Sequence, residues 1–165
     1  MKRSATRCPV PAEQLPIREY EDMREAWFYS WRARGFRGYI VPGLVVWGVS
    51  WRVSGPIAAV SFAPDHFLNK FLVSAALGAL VIPTLTLLQL YVGWSHVGHR
   101  LRIRDLPYEE SGWYDGQIWT KPDDIYNRDC LIVDYQIKPI LNRLRKTFGI
   151  LAGCLATAIL GWSLL

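Results

Sequence analysis

The sequence predicts an all-α membrane protein with about three transmembrane helices, amphipathic helices at the interface and a structured loop on the cytoplasmic or stromal side. Three observations lead there. The charged residues of this 165-residue chain fall into two blocks, and nearly charge-free runs lie outside them. Those runs come close to, or exceed, the ~20 residues that a helix needs to cross ~30 Å of hydrocarbon. Lys and Arg flank the runs, with eight in residues 1–37, nine in residues 98–147 and one in residues 64–70. Under the positive-inside rule both basic blocks face the cytoplasm or stroma, and the short connection faces the other side. Three crossings satisfy this and leave the C-terminus on the far side, whereas two or four would strand a block. Hydrophobic residues make up 51% of the chain, close to a soluble average, so their distribution carries the reading.

Residues 1–18 are rich in proline and charge and read as an extended tail. They and the residues that follow lack the apolar core of ~7–15 residues found in a secretory leader, so the first span is expected to act as an uncleaved anchor. Over residues 19–37 the pattern changes. Tyr20, Met23, Trp27 and Trp31 recur at three- and four-residue steps, which places them on one helical face. A Trp-rich amphipathic helix leading into a span is expected to lie along the bilayer surface, and packing on the other cytoplasmic segment is the alternative.

Residues 38–63 form the first span, which contains Arg52. A start near Gly38 puts Arg52 ~21 Å along a helix rising ~1.5 Å per residue. It then stands within roughly 9 Å of the far interface of a ~30 Å core, and its side chain can snorkel outward. Residues 71–99 form the second span. Its charge-free part covers 27 residues, from Phe71 to Val97, with histidine counted as neutral. Pro83 should kink it by removing a backbone donor. Residues 148–165 form the third span. Gly149 and Gly153 there make a small-residue pattern that lets helices approach closely, within the chain or across to a partner.

Residues 100–147 form the cap. A helix interrupted near Pro139 is expected in its second half, and Lys138, Arg143, Arg145 and Lys146 make a basic collar suited to anionic headgroups. The first half holds "YEESGWYDGQIWTKPDD", residues 108–124, with four aromatics, two glycines and five carboxylates. Glu109, Glu110 and Asp115 have the chemistry of acid–base groups or of ligands for a hard cation. However, the adjacent Glu109 and Glu110 diverge on a helix or a strand, and no phosphate-cradling loop or nucleophile elbow accompanies them. Asp115-Gly116 reads as a tight turn. The stretch therefore reads as an aromatic hairpin or turn docked between surface helices.

His96 and His99, three residues apart, share a helical face and have the chemistry to hold a metal, a haem or a chlorophyll magnesium. Interfacial histidines more commonly face headgroups or water. Cys8, Cys130 and Cys154 are odd in number and widely spaced, which fits neither a disulfide framework nor a structural zinc. The net charge of +5 invites a nucleic-acid reading, but no such motif appears and the cations flank the spans.

Four stretches together resemble one family: residues 8–21 (CPVPAEQLPIREYE), 87–101 (LLQLYVGWSHVGHRL), 108–122 (YEESGWYDGQIWTKP) and 128–147 (RDCLIVDYQIKPILNRLRKT). The chain is similar to the cyanobacterial and plastid membrane family conserved in the green lineage and diatoms (twenty-seven), which includes hypothetical chloroplast reading frame thirty-six. The most specific part of the resemblance is Glu110, Ser111, Gly112, Trp113, Tyr114, Asp115, Gly116 and Gln117, with Trp119 and Lys121-Pro122. The pattern leads one to expect arginine where this chain has Cys130, and His96 and His99 are no part of it.

The resemblance implies an integral protein of the cyanobacterial thylakoid or plasma membrane, or of the plastid thylakoid. It brings no reaction, so no catalytic residues are assigned. The function expected is a non-enzymatic accessory or assembly factor that supports photosynthetic complexes, pigments or photoprotection, with membrane lipids and other thylakoid proteins as partners. Its docking residues are Glu110, Ser111, Gly112, Trp113, Tyr114, Asp115, Gly116, Trp119, Arg128 and Asp129, and no metal or cofactor is assigned. The alternative is a small membrane-bound enzyme, or a metal, haem or pigment carrier, that uses His96, His99 and the carboxylates of 109–115. Transport is a third class, for which three spans and one snorkelling arginine make a poor pathway.

Overall fold

The structure, a computed structural model, describes residues 9–30, 36–108 and 117–164. Most of them are helical. A short 3-10 turn at Ala12–Gln14 leads into α1 (Pro16–Glu25) and α2 (Trp27–Ser30). Pro16 stands at the start of α1, where its missing N–H costs nothing and its fixed φ suits the helix. The helix expected over 19–37 is split, because Ala26 takes an extended ψ of 123° between α1 and α2. Tyr20 is buried and Met23 half-buried against the rest of the protein, while Trp27 is exposed. Trp31 lies outside the described residues.

Three long helical segments have the length and composition to cross a membrane: Arg37–Ser61, Leu68–Arg102 and Asp123–Trp162. The first belongs to α3 (Phe36–Ser61), which carries Pro42 and Pro56 within it. The second is two helices, α4 (Leu68–Ala79) and α5 (Val81–Arg102), which meet at Leu80. The kink expected from Pro83 appears one turn earlier in the chain. A proline ring crowds the carbonyl four residues before it, here that of Ala79. The third begins as α6 (Asp123–Ile132), passes through a π turn (Val133–Ile137) and continues as α7 (Lys138–Leu164). The interruption expected near Pro139 is this π turn, in which the Lys138 N–H reaches the Val133 carbonyl. The helix therefore widens but does not break. At 40 residues the third segment is about 60 Å long, twice a hydrocarbon thickness. Only its uncharged end, from Thr147 onward, has the composition of a span.

Two contacts fix the directions. The hydroxyls of Tyr39, near the start of α3, and Thr147 are hydrogen-bonded. At the other end Phe62 and Trp162 pack edge to face with ring centroids 5.2 Å apart. α3 and the apolar part of α7 thus run the same way, and α4–α5 returns between them. The described parts of both basic blocks meet at one end, and the connection between α3 and α4 lies at the other.

The core is a pair of heptad seams. Leu87, Leu90, Trp94, Val97 and Leu101 on α5 face Val133, Ile137, Ile140 and Leu144 on the π turn and α7, with Tyr20 from α1 closing the cluster. The alternating three- and four-residue spacing is that of helices crossing at a shallow angle. Each large side chain buried here contributes roughly 1.5–3 kcal/mol. Gly98 lets the helices approach, because a Cβ there would stand 3.3 Å from Ile137 Cγ2. α3 and α4 approach closely at Ser54 and Gly78, and Ser54 Oγ donates to the Ala75 carbonyl at 2.8 Å.

Candidate docking site at the hairpin and the helix ends

The all-helical expectation needs one addition: Asp105–Tyr108 (β1) and Gln117–Thr120 (β2) form a two-stranded antiparallel hairpin directly after α5. The register pairs Asp105 with Thr120, Leu106 with Trp119 and Tyr108 with Gln117. Side chains pair across the strands accordingly. Thr120 Oγ1 donates to Asp105 Oδ1 at 2.7 Å, and the Tyr108 hydroxyl donates to Gln117 Oε1 at 2.6 Å. Leu106 and Tyr108 turn inward, Trp119 is half-buried, and Ile118 on the other face is exposed.

Residues 109–116 connect the strands. The candidate docking residues Glu110, Ser111, Gly112, Trp113, Tyr114, Asp115 and Gly116, along with Glu109, therefore lie outside the described residues. The register leaves eight residues between the paired ends Tyr108 and Gln117, and the tight turn expected at Asp115-Gly116 falls among them.

The base of the hairpin is locked into the helices. The Lys121 backbone N–H extends the ladder to the Arg104 carbonyl at 2.9 Å. The Lys121 side chain, 1% exposed, reaches back to the Leu101 carbonyl at 3.0 Å and to Asp129 Oδ2 at 2.8 Å. The carbonyls of a helix's last turn have no partner within the helix, and a cation is favoured there. One ammonium thus caps α5 and neutralises a buried carboxylate on α6. Asp129 Oδ1 accepts from the half-exposed Arg128 guanidinium at 3.1 Å, so both of its oxygens are satisfied. On the outer side Arg104 pairs with Asp123 and stands 5.3 Å over the Tyr126 ring. A hydrogen bond with Cys130, and the nearness of that thiol, push the Tyr126 hydroxyl above its ordinary pKa.

The structure therefore brings Arg128 and Asp129 together with Lys121 in a lock beneath the hairpin. Lys121 was missed as a site residue, because beside Pro122 in a polar stretch it has the signature of a surface lysine. The signal that it is buried, Asp129 on the inner side of α6, depends on helix packing.

A second set of pairs ties the N-terminal segment to α5. Arg100 donates to Glu19 Oε2 at 2.6 Å and to the Gln14 carbonyl at 3.2 Å. The Tyr20 hydroxyl bonds Gln136, and its ring meets Trp94 edge to face at 6.2 Å. His96 faces this side, 3.8 Å from Glu19. His99 faces another way, into a groove between α5 and α7. Both histidines lie on the face of α5 away from the buried seam, and each meets different surroundings. Among the described residues no group of three or more His, Cys, Asp or Glu is placed to hold a metal.

Arg52 is exposed on α3, nine residues before its end. The small-residue positions Gly149, Gly153 and Gly161 have open space where a Cβ would stand, so none of them seats one of the described helices.

A family model described as "CGLD27-like: Conserved in the green lineage and diatoms 27" matches residues 8–150, and so takes in the first span as well as the cap. The chain is 41% identical over 139 residues to an Arabidopsis thaliana protein called conserved in the green lineage and diatoms 27, chloroplastic. That match covers 84% of this chain but only 42% of the Arabidopsis protein. It is 36% identical to the ycf36 protein of Pyropia yezoensis, with 89% of each chain covered. It is 35% identical to the ycf36 protein of Cyanophora paradoxa, over 97% of this chain and 98% of that one. No solved structure matches the chain significantly. On the extent of these matches, the chain belongs to the CGLD27-like family, conserved in the green lineage and diatoms 27.

Proposed function

We propose that this chain is an integral, non-enzymatic accessory protein of photosynthetic membranes, which docks on other membrane proteins through the connection at the hairpin tip. The proposed topology puts the N-terminal segment, the hairpin and α6 on the cytoplasmic or stromal side, in keeping with the basic residues gathered at that end. The plastid setting draws on the word "chloroplastic" in the name of the Arabidopsis relative.

The observation that carries the docking reading is the buried Lys121–Asp129 pair, with the Leu101 carbonyl on the same ammonium. A buried ion pair is costly to build and does little for net stability, but it fixes geometry. Here it sets the angle at which the hairpin leaves the helix ends. The stretch that carries the most specific part of the family resemblance, 110–117, joins the two strands in sequence. Carboxylates of the described cap support the non-enzymatic reading: Asp123, Asp129 and Asp134 each pair with a cation that ties one element to another.

Purification of the tagged chain in a gentle detergent tests the proposal. The expected result is co-purification with a larger membrane complex that is lost when Trp113 and Tyr114 are replaced by alanine. A colourless monomer from both the native chain and the variant would contradict it.

A further inference from the structure

A groove of about 400 Å³ runs between the cap end of α5 and the start of α7. Its floor is apolar, made by Gly98, Val133 and Leu141, and its walls carry Arg102, Lys138 and Arg145. Asp134 answers two of these cations, accepting from Arg102 at 2.6 Å and lying 2.7 Å from Lys138. The hydrogen bond from Lys138, and then that from Arg102, hold the Asp134 carboxyl below the usual carboxylate range. Arg145 sits over the Tyr91 ring at 5.9 Å and donates to its hydroxyl at 3.3 Å. Three cations stand against one carboxylate, so the groove carries an excess of positive charge.

The face of α5 that lines this groove continues beyond it. Ser95, His99 and Arg102 are groove residues, and Leu85, Leu88 and Val92 extend the same three- and four-residue stripe toward the middle of the span. All three of these apolar side chains are exposed. One helical face thus offers cations with hydrogen-bond donors at its end and bare hydrocarbon below. That is the pattern of an amphiphile with an anionic head.

We propose that this groove is a binding site for one anionic membrane lipid, with its phosphate or sulfonate oxygens among Arg102, Lys138 and Arg145 and its acyl chains along Leu88 and Val92. Basic recesses between membrane helices at the positive end take such headgroups. The site rests on the membrane-spanning reading of α5 and α7 and is independent of the accessory role.

The test is native mass spectrometry of the detergent-purified full chain, titrated with phosphatidylglycerol or with phosphatidylcholine of the same acyl chains. One phosphatidylglycerol should be retained in preference to phosphatidylcholine. Lys138→Gln with Arg145→Gln should weaken its retention roughly thirtyfold. Arg143→Gln with Lys146→Gln removes the same charge from the collar outside the groove and should leave retention within about twofold. Asp134→Asn frees two groove cations and should tighten it. Equal retention of both lipids, equal loss in the two double variants, weaker binding in Asp134→Asn or full displacement by excess inorganic phosphate would each overturn the proposal. Carbonate extraction of membranes tests the membrane reading separately: release of the chain would sink that reading whatever the lipid titration gives.

Discussion

Lys121 Nζ lies 2.8 Å from Asp129 Oδ2, and both side chains are almost wholly buried where the hairpin, α5 and α6 meet. The same ammonium takes the Leu101 carbonyl, so one residue joins three elements. Lys121→Met leaves the buried Asp129 carboxylate with only the half-exposed Arg128 as a cation and should cost up to about 3 kcal/mol of unfolding free energy. Replacing both partners, by Lys121→Met with Asp129→Leu, should recover most of that loss. Chemical denaturation in detergent measures both, and a single variant as stable as the native chain would show that the pair bears no weight.

The three long apolar helices were legible because a membrane span leaves a signal in composition alone. The kink and the interruption were legible too, since Pro83 and Pro139 act through their own backbone. Less could be read where a residue's role depends on a distant partner. Tyr20 looks like one ring in an interfacial aromatic face, and only the meeting of α1, α5 and the π turn shows it closing the core over Trp94. Histidines three apart look like a ligand pair until the packing of α1 sets Glu19 beside His96 and the packing of α7 puts a groove beside His99. The hairpin was anticipated from its turn and aromatic residues, but the length of its connection depends on strand register, which is set by the side-chain pairs Tyr108–Gln117 and Asp105–Thr120.

The glycines should divide sharply in their tolerance. A Cβ at Gly78 would stand 2.9 Å from Ser54 Cβ, next to the backbone of α3, so Gly78→Ala should cost about 1–3 kcal/mol. Gly149→Ala and Gly153→Ala meet nothing within 4 Å and should be neutral or gain up to about 1 kcal/mol from helix propensity. Unfolding midpoints in detergent compare them. A loss at Gly149 as large as that at Gly78 would mean that the α7 stripe packs inside this chain.

His96→Ala with His99→Ala should leave co-purification of partner complexes, and any visible absorbance of the preparation, unchanged. An absorption band that disappears in this variant would make the histidines ligands and favour the carrier alternative.

Topology can be read by labelling single cysteines in sealed vesicles after Cys8, Cys130 and Cys154 are replaced by serine. Cysteines introduced at Asp65, between α3 and α4, and at Asp124, in α6, should react with an impermeant maleimide from opposite faces. Labelling of both from the same face would remove the three-crossing arrangement.

The most direct test of the docking claim is photo-crosslinking in native membranes with a benzophenone amino acid in place of Trp113. The account predicts a discrete adduct of higher mass that contains a second membrane protein. No adduct at that position, together with quenching of the native ring by an aqueous quencher to the extent of a free tryptophan, would contradict it.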